Sequence, residues 1–262
     1  MNFSADIAEK IYQLWDEIES YPPNEASAAN VKLMETLADW LRADYVYWIA
    51  GIRMMSGKPA ASDPMDGWRT CVVEPLRLPP TYETDLKYLM KNQHVADTVA
   101  QATAAIVHEA GAFRVRRLRE LVDVKQLDAC ENFQQYDMPY GLSDRLYVVT
   151  PLNDDGESYF CFERAGSDSR FTDEDAALAG AALRGVRWFQ RRLFLSHGLL
   201  VGNELLTPME RSVALLLLTK KSEQEIADEI GRAHATIHNH ITGVYRKFGV
   251  SKRAEFMALW LG

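Results

Sequence analysis

The chain has little cysteine. Cys71, Cys130 and Cys161 are the three in 262 residues, and they lie far apart. They show no zinc-ligand spacing, and an odd count argues against a disulfide framework, so reduced and partly buried thiols are expected. No run approaches the roughly 18 apolar residues of a membrane span. At the N-terminus, Asp6, Glu9, Asp16 and Glu17 interrupt any basic-then-apolar leader, so the expectation is a cytoplasmic protein with no membrane partner. The sequence also lacks a nucleophile elbow, a glycine-rich phosphate loop, a metal triad and a convincing carboxylate pair. No enzyme and no cofactor are expected, and scattered surface Asp and Glu need no catalytic reading.

Positive charge is scarce overall, with a net of −8, but it is unevenly placed. Residues 204–262 carry 8 Lys and Arg against 7 Asp and Glu, a net of +1, whereas residues 1–203 carry 21 against 30, a net of −9. If one part of the chain meets nucleic acid, it is the C-terminal part. At +1 a single copy would bind phosphate weakly, so two copies are expected to act together.

The last 57 residues carry the most specific pattern. Thr207 is a helix N-cap, Pro208 takes the first helical position and Glu210 completes a capping box. Val213, Leu216 and Leu217 follow at helical spacing. Ser222 and Glu225 form a second capping box; Ile226, Ala227 and Ile230 give that helix an apolar face, and Gly231 ends it. A third helix begins near His234, with Ile237, Ile241, Val244 and Phe248 on its buried stripe. Its other face carries His234, His238, Asn239, Thr242 and Arg246. Gly249 breaks this helix, and Ser251 caps a fourth containing Phe256, Leu259 and Trp260. Two short helices joined by a tight turn, with a polar face on the second, make a helix-turn-helix whose second helix would lie in the major groove. His234 and His238 have a spacing that can hold a metal, but the sequence offers no third ligand, and a polar helix face is favoured.

This segment resembles the LuxR-type (NarL/FixJ-type) DNA-binding domain. Matching positions are Leu206, Thr207, Glu210, Ser222, Ile226, Ala227, Thr236, His240, Lys247, Gly249, Val250, Arg253 and Glu255, with conservative matches at Ile230, Ile237 and Phe248. The departures are Met209 for Arg, Arg232 for an apolar residue, Ala233 for the Ser that caps the recognition helix, and His238 for Lys. The resemblance implies groove contacts by His238, Asn239 and Thr242, and phosphate contacts by Thr236, Arg246 and Lys247. The partner it implies is double-stranded DNA bound by a homodimer. Met209, Ala233 and His238 also keep open a degraded module that acts through protein–protein contact.

Upstream, residues 4–19 and 25–43 read as amphipathic helices, and 45–52 and 68–73 as strands forming a hairpin around the Gly/Pro/Ser/Asp-rich loop 56–66. Residues 82–91 and 94–109 look helical. Strands 145–150 and 158–164 flank the turn Asn153-Asp154-Asp155-Gly156. Phe171 and Thr172 staple and cap a long helix to about His197, with Asp175 as the capping-box partner. Arg114, Arg116, Arg117 and Arg119 read as a solvated basic face. Helices flanking an antiparallel sheet give an α+β domain, and the stretch from Tyr140 through Asp175 resembles GAF/PAS-like input domains fused to LuxR-type modules.

The expected organisation is a sensory and dimerisation domain over 1–195, a linker over 196–205, and an all-α four-helix helix-turn-helix domain over 206–262. Aromatics that could line a ligand cavity are Tyr47, Trp48, Trp68, Phe133, Tyr136, Tyr147 and Tyr159, although strand alternation puts Tyr47 and Trp48 on opposite faces. The opening helices exclude a phospho-acceptor receiver domain. An acyl-homoserine-lactone receptor domain is similar in length and class, but its pattern is a Trp followed four residues later by Tyr, with an Asp-Pro some way on; Ile52 stands four residues after Trp48, and Asp63-Pro64 lies in the Gly/Pro-rich loop. The whole reads as a ligand- or partner-controlled transcriptional regulator.

Overall fold

The computed structural model describes residues 5–54, 63–78, 91, 101–123, 141–166, 169–200 and 205–260. The chain divides into two compact units, residues 1–15 with 31–187 and residues 16–30 with 188–262. The second unit therefore takes in 16–30 and 188–195 besides the C-terminal module.

The first unit is built on five strands, β1 (Tyr45–Arg53), β2 (Trp68–Arg77), β3 (Arg114–Arg117), β4 (Leu142–Asn153) and β5 (Gly156–Ala165), in the order β2-β1-β5-β4-β3. Every neighbouring pair is antiparallel. This is the α+β class expected, and both hairpins, β1–β2 and β4–β5, fall where turn chemistry placed them. The strands run longer than their apolar cores suggest: Ser143 and Asp144 belong to β4, where the Ser143 hydroxyl donates to Arg164 O and Ser169 O and Asp144 accepts from Phe171 N–H.

Alternation sorts the side chains into two faces. One row across the sheet is Trp48, Phe160, Val148 and Val115; the next is Tyr47, Cys161, Tyr147 and Arg116. The Trp48 face is dry, with Trp48, Phe160 and Phe162 fully buried. Helix α1 (Ala5–Ser20), helix α2 (Ala26–Leu41), with Leu33, Met34, Leu37 and Leu41 buried, and helix α5 (Asp173–Arg184) supply much of the buried apolar helix surface. Gly180 lets α5 close on the sheet, since a Cβ there would come within 2.9 Å of Val115 Cγ2. Helix α3 (Gln101–His108) packs Ile106 and Val107 into the Tyr47 face, and a single turn, α4 (Leu118–Leu121), follows β3.

Thr172 caps α5 in a capping box with Asp175, as its sequence predicts. The single long helix expected after it is instead two, α5 and α6 (Arg187–Ser196). The Trp15 indole N–H takes Ala182 O at 2.7 Å, and Val186 N–H turns to Leu183 O at 3.4 Å. A Cβ on Gly185 would fall inside the Trp15 ring, so the break needs both residues.

The basic face read at residues 114–119 is not a free one. Arg114 is buried and paired bidentately with Glu157, Arg116 pairs with Glu109, and Arg117 with Glu120 and Asp173. The partner of Arg114 lies 43 residues away, beyond any local pattern.

Besides residues 16–30, the second unit holds, among the described residues, α6, α7 (Pro208–Leu217), α8 (Glu223–Ile230), α9 (His234–Phe248) and α10 (Arg253–Ala258). They enclose one core of Val213, Leu217, Ile226, Ile237, Ile241, Val244, Phe248, Phe256 and Trp260, in which the Phe248 and Phe256 rings meet edge-on at 5.1 Å. Among the described residues no helix is long and apolar enough to cross a membrane.

Gly185→Ala should destabilise the fold by about 1–3 kcal/mol through overpacking alone, because the backbone there is ordinary αR. Its thermal midpoint against wild type checks this, and Trp15→Phe, which removes the indole N–H and part of the ring, should lessen the effect of the glycine change.

Candidate nucleic-acid interface

Glu210 organises the helix-turn-helix unit. It accepts from Thr207 N–H at 2.8 Å while the Thr207 hydroxyl accepts from Glu210 N–H at 3.3 Å, closing the capping box at the start of α7. The same carboxylate accepts from Lys247 Nζ at 2.8 Å, tying α7 to α9, with side-chain exposures of 10% and 9%. Gly243 leaves room for it, as a Cβ there would sit 3.0 Å from Glu210 Oε1. Burial works against ionisation of Glu210, but the hydrogen bonds from Lys247 and Thr207 outweigh it and hold the carboxyl below its ordinary range.

The other end of α7 is capped by a side chain. Arg253 of α10 donates to Leu217 O at 2.8 Å, Thr219 O at 2.5 Å and Lys221 O at 2.5 Å. Three carbonyls that lack helical partners are thus satisfied by one guanidinium at the negative end of the helix dipole.

Ser222 and Glu225 cap α8 reciprocally, and Gly231 ends it at φ 69°. Arg232 N–H then bonds Ala227 O at 3.0 Å, closing a Schellman turn that only a residue tolerant of positive φ can make cheaply. Helix α9 leaves this turn with Ile237, Ile241, Val244 and Phe248 buried and His234, Thr236, His238, Asn239, Thr242 and Arg246 exposed. The Thr242 hydroxyl donates back to His238 O at 3.0 Å. An open groove of about 590 Å³ runs along α9, lined by Glu223, His238, Thr242, Tyr245, Arg246 and Lys252 among others.

Residues 204–259 match the family model described as bacterial regulatory proteins, luxR family. The spore germination protein GerE of Bacillus subtilis is 41% identical over 51 residues, which are 20% of this chain and 69% of GerE. The chain belongs to the luxR family of bacterial regulatory proteins. A probable HTH-type transcriptional regulator, GfsR of Streptomyces halstedii, is 37% identical over 57 residues, and the match spans 22% of this chain but only 24% of GfsR. Two solved structures are similar in outline. SdiA in complex with octanoyl-rac-glycerol has a TM-score of 0.49 at 10% identity, covering 99% of this chain and 96% of that one. The VqsR LBD domain from Pseudomonas aeruginosa has 0.45 at 14% identity, covering 72% and 96%.

Within the luxR-family module, the residues chosen from sequence fall into two groups. Thr236, His238, Asn239, Thr242 and Arg246 share the exposed side of α9. Lys247 does not; its ammonium is committed to Glu210 and to Leu205 O at 2.9 Å. Ala233 stands at the N-cap of α9 and provides no side-chain cap. Sequence reasoning missed Glu223, whose Oε2 lies 3.1 Å from His238 Nδ1 and 3.8 Å from His234 Nε2. Glu223 opens a different helix, so periodicity along α9 cannot reveal it.

The aromatics chosen for the sheet also divide. Tyr47, Trp68, Tyr147 and Tyr159 join one buried cluster with Met65, Ile106, Val107, Val149 and Cys161. Trp48 faces the other side, donating its indole N–H to Ser158 Oγ at 2.8 Å. Phe133 and Tyr136 lie outside the described residues, as does Cys130. The clustered tyrosines carry a polar layer: Tyr47 donates to Glu163 at 2.8 Å, Tyr159 to Glu157 at 2.7 Å, and Tyr147 accepts from Arg145 at 3.2 Å. Arg145 pairs with Glu163 at 2.6 Å. Burial pushes the Cys161 thiol up to about 12, which leaves it inert.

Two outcomes are expected. Ala233→Ser supplies the missing cap and should raise stability by about 1 kcal/mol, read as a higher thermal midpoint. Glu210→Gln should lower stability at neutral pH. Because the folded carboxyl lies below its ordinary 4.5, its contribution is complete above that pH and is lost as the pH falls further. The gap in melting temperature between wild type and Glu210→Gln should therefore narrow on acidification below about pH 4.5; a constant gap would contradict the assignment.

Proposed function

We propose that the protein is a DNA-binding transcriptional regulator. Residues 206–262 bind double-stranded DNA as the paired modules of a homodimer, and the domain over 1–195 senses a small molecule or a partner and acts through the linker over 196–205. The cytoplasm is its place of action. The observation that carries this reading is the exposed polar side of α9, which follows a tight αL turn in a luxR-family module.

In this reading His238, Asn239 and Thr242 face bases, Asn239 being suited to the paired donor and acceptor of adenine. Thr236 and Arg246 contact phosphate. A phosphate contact by Lys247 would require its pair with Glu210 to open.

The Tyr47 face of the sheet is the candidate sensory surface. Its charges are matched as Arg114–Glu157 and Arg145–Glu163 in the interior and Arg116–Glu109 at the half-exposed β3 edge, so it suits an uncharged ligand with aromatic or aliphatic bulk. An acyl-homoserine lactone is disfavoured. Asp63, of the Asp-Pro pair such a receptor would use, already accepts from Met65 N–H, Gly67 N–H and both Arg69 amino groups. Control of DNA binding then requires the ligand to favour one of two arrangements of the modules.

A second reading, a module that has left DNA for protein contact, is favoured by the carboxylate of Glu223 beside His238 on the groove-facing side.

Selection of genomic fragments by purified protein at two salt concentrations separates these. Regulation of DNA predicts an enriched palindromic site whose affinity falls with salt. Asn239→Ala or Thr242→Ala should cost about 1–3 kcal/mol at that site, and Arg246→Ala should weaken all sequences and lower the salt slope by about 1. No enrichment at low salt would favour the protein-contact reading.

A further inference from the structure

The structure places an acidic side chain of α8 against the face of α9 that the proposed function turns toward DNA. Glu223 is the first residue of α8, one position after the Ser222 cap. Its carboxylate oxygen lies 3.1 Å from His238 Nδ1, and His234 Nε2 stands 3.8 Å from the same oxygen. All three side chains are substantially exposed, at 39% for Glu223, 60% for His238 and 52% for His234. The capping of α8 does not use Glu223, because Glu225 takes the Ser222 N–H and hydroxyl.

A carboxylate can only accept hydrogen bonds. His238 Nδ1 must therefore carry the proton, and in the neutral ring the lone pair is left on Nε2. Held this way, the imidazole offers a base edge an acceptor, which suits the amino groups of adenine and cytosine.

We propose that Glu223 is a positioning residue that sets which base His238 reads, by holding the proton on Nδ1 and leaving Nε2 as the acceptor. The inference rests on the DNA-binding reading. The groove beside His238 is also lined by Arg246 from α9 and by Lys252 and Arg253 at the start of α10, and Arg253 is spent on the three α7 carbonyls. His234 stands beside the same carboxylate oxygen, and the test removes it with His234→Gln.

The test is selection from a randomised half-site pool with the full chain, followed by binding to the four variants of the contacted position at one fixed pH and salt concentration. Wild type should prefer adenine or cytosine at that position by about five- to tenfold. His234→Gln should retain that preference. Glu223→Gln, whose amide can donate as well as accept, should lose it while the other positions of the site stay as in wild type. His238→Gln should lose it as well. A base preference unchanged in Glu223→Gln would overturn the inference while leaving DNA binding intact. No sequence-selective binding by wild type would overturn the DNA-binding reading itself.

Discussion

Carboxylates cut off from water must be matched, and three of them govern how this chain is assembled. Glu157, Glu163 and Glu210 are buried, and each meets a cation far along the chain: Arg114 at 43 residues' distance, Arg145 at 18 and Lys247 at 37. Such pairs add little net stability, because desolvation offsets attraction, yet separating one strands a charge at a cost of roughly 3–5 kcal/mol. Apolar packing is non-directional and leaves neighbours negotiable. These pairs do not: Glu157 also takes Gly111 N–H, pinning the turn before β3 to β5, while Glu163 links β5 to β4 and to Tyr47 of β1. Glu210 does the same between the first and third helices of the DNA-binding module.

Local chemistry was legible in the sequence. Thr172, Thr207 and Ser222 cap helices with their carboxylate partners three residues on, and Gly231 and Gly249 adopt the left-handed conformation that ends α8 and α9. Strand alternation separated Tyr47 from Trp48, and the luxR-family pattern located the module. What was not legible depends on distant contacts. The pairing of Lys247 with Glu210 could not be read from helical spacing, and Arg114 looks solvated until Glu157 is seen beside it. The long helix through Gly185 obeys every rule of periodicity, and only the indole of Trp15 breaks it. The four-residue strand β3 is mostly arginine, a composition that announces no strand.

The exposed side of α9 shows a similar division between residue type and context. His234, His238, Asn239, Thr242 and Arg246 could be read from helical spacing, but their chemistry is set from outside the helix. Glu223 fixes the donor and acceptor pattern of His238, and the uncapped start at Ala233 leaves the first turn of α9 held by tertiary packing rather than by its own side chain. The module therefore depends on its four-helix core to present this face, with Phe248, Phe256 and Trp260 closing that core behind α9.

The guanidinium of Arg253 gives the module a minimum length. The last carbonyls of α7 and of the turn after it find their donor 36, 34 and 32 residues downstream. A fragment that stops at the end of α9 would keep the whole exposed polar face of that helix and still leave an unsatisfied helix end and an open core. The fourth helix is thus the closing member of the first, and the boundaries of an autonomous DNA-binding piece are drawn by hydrogen-bond supply rather than by which residues touch a groove.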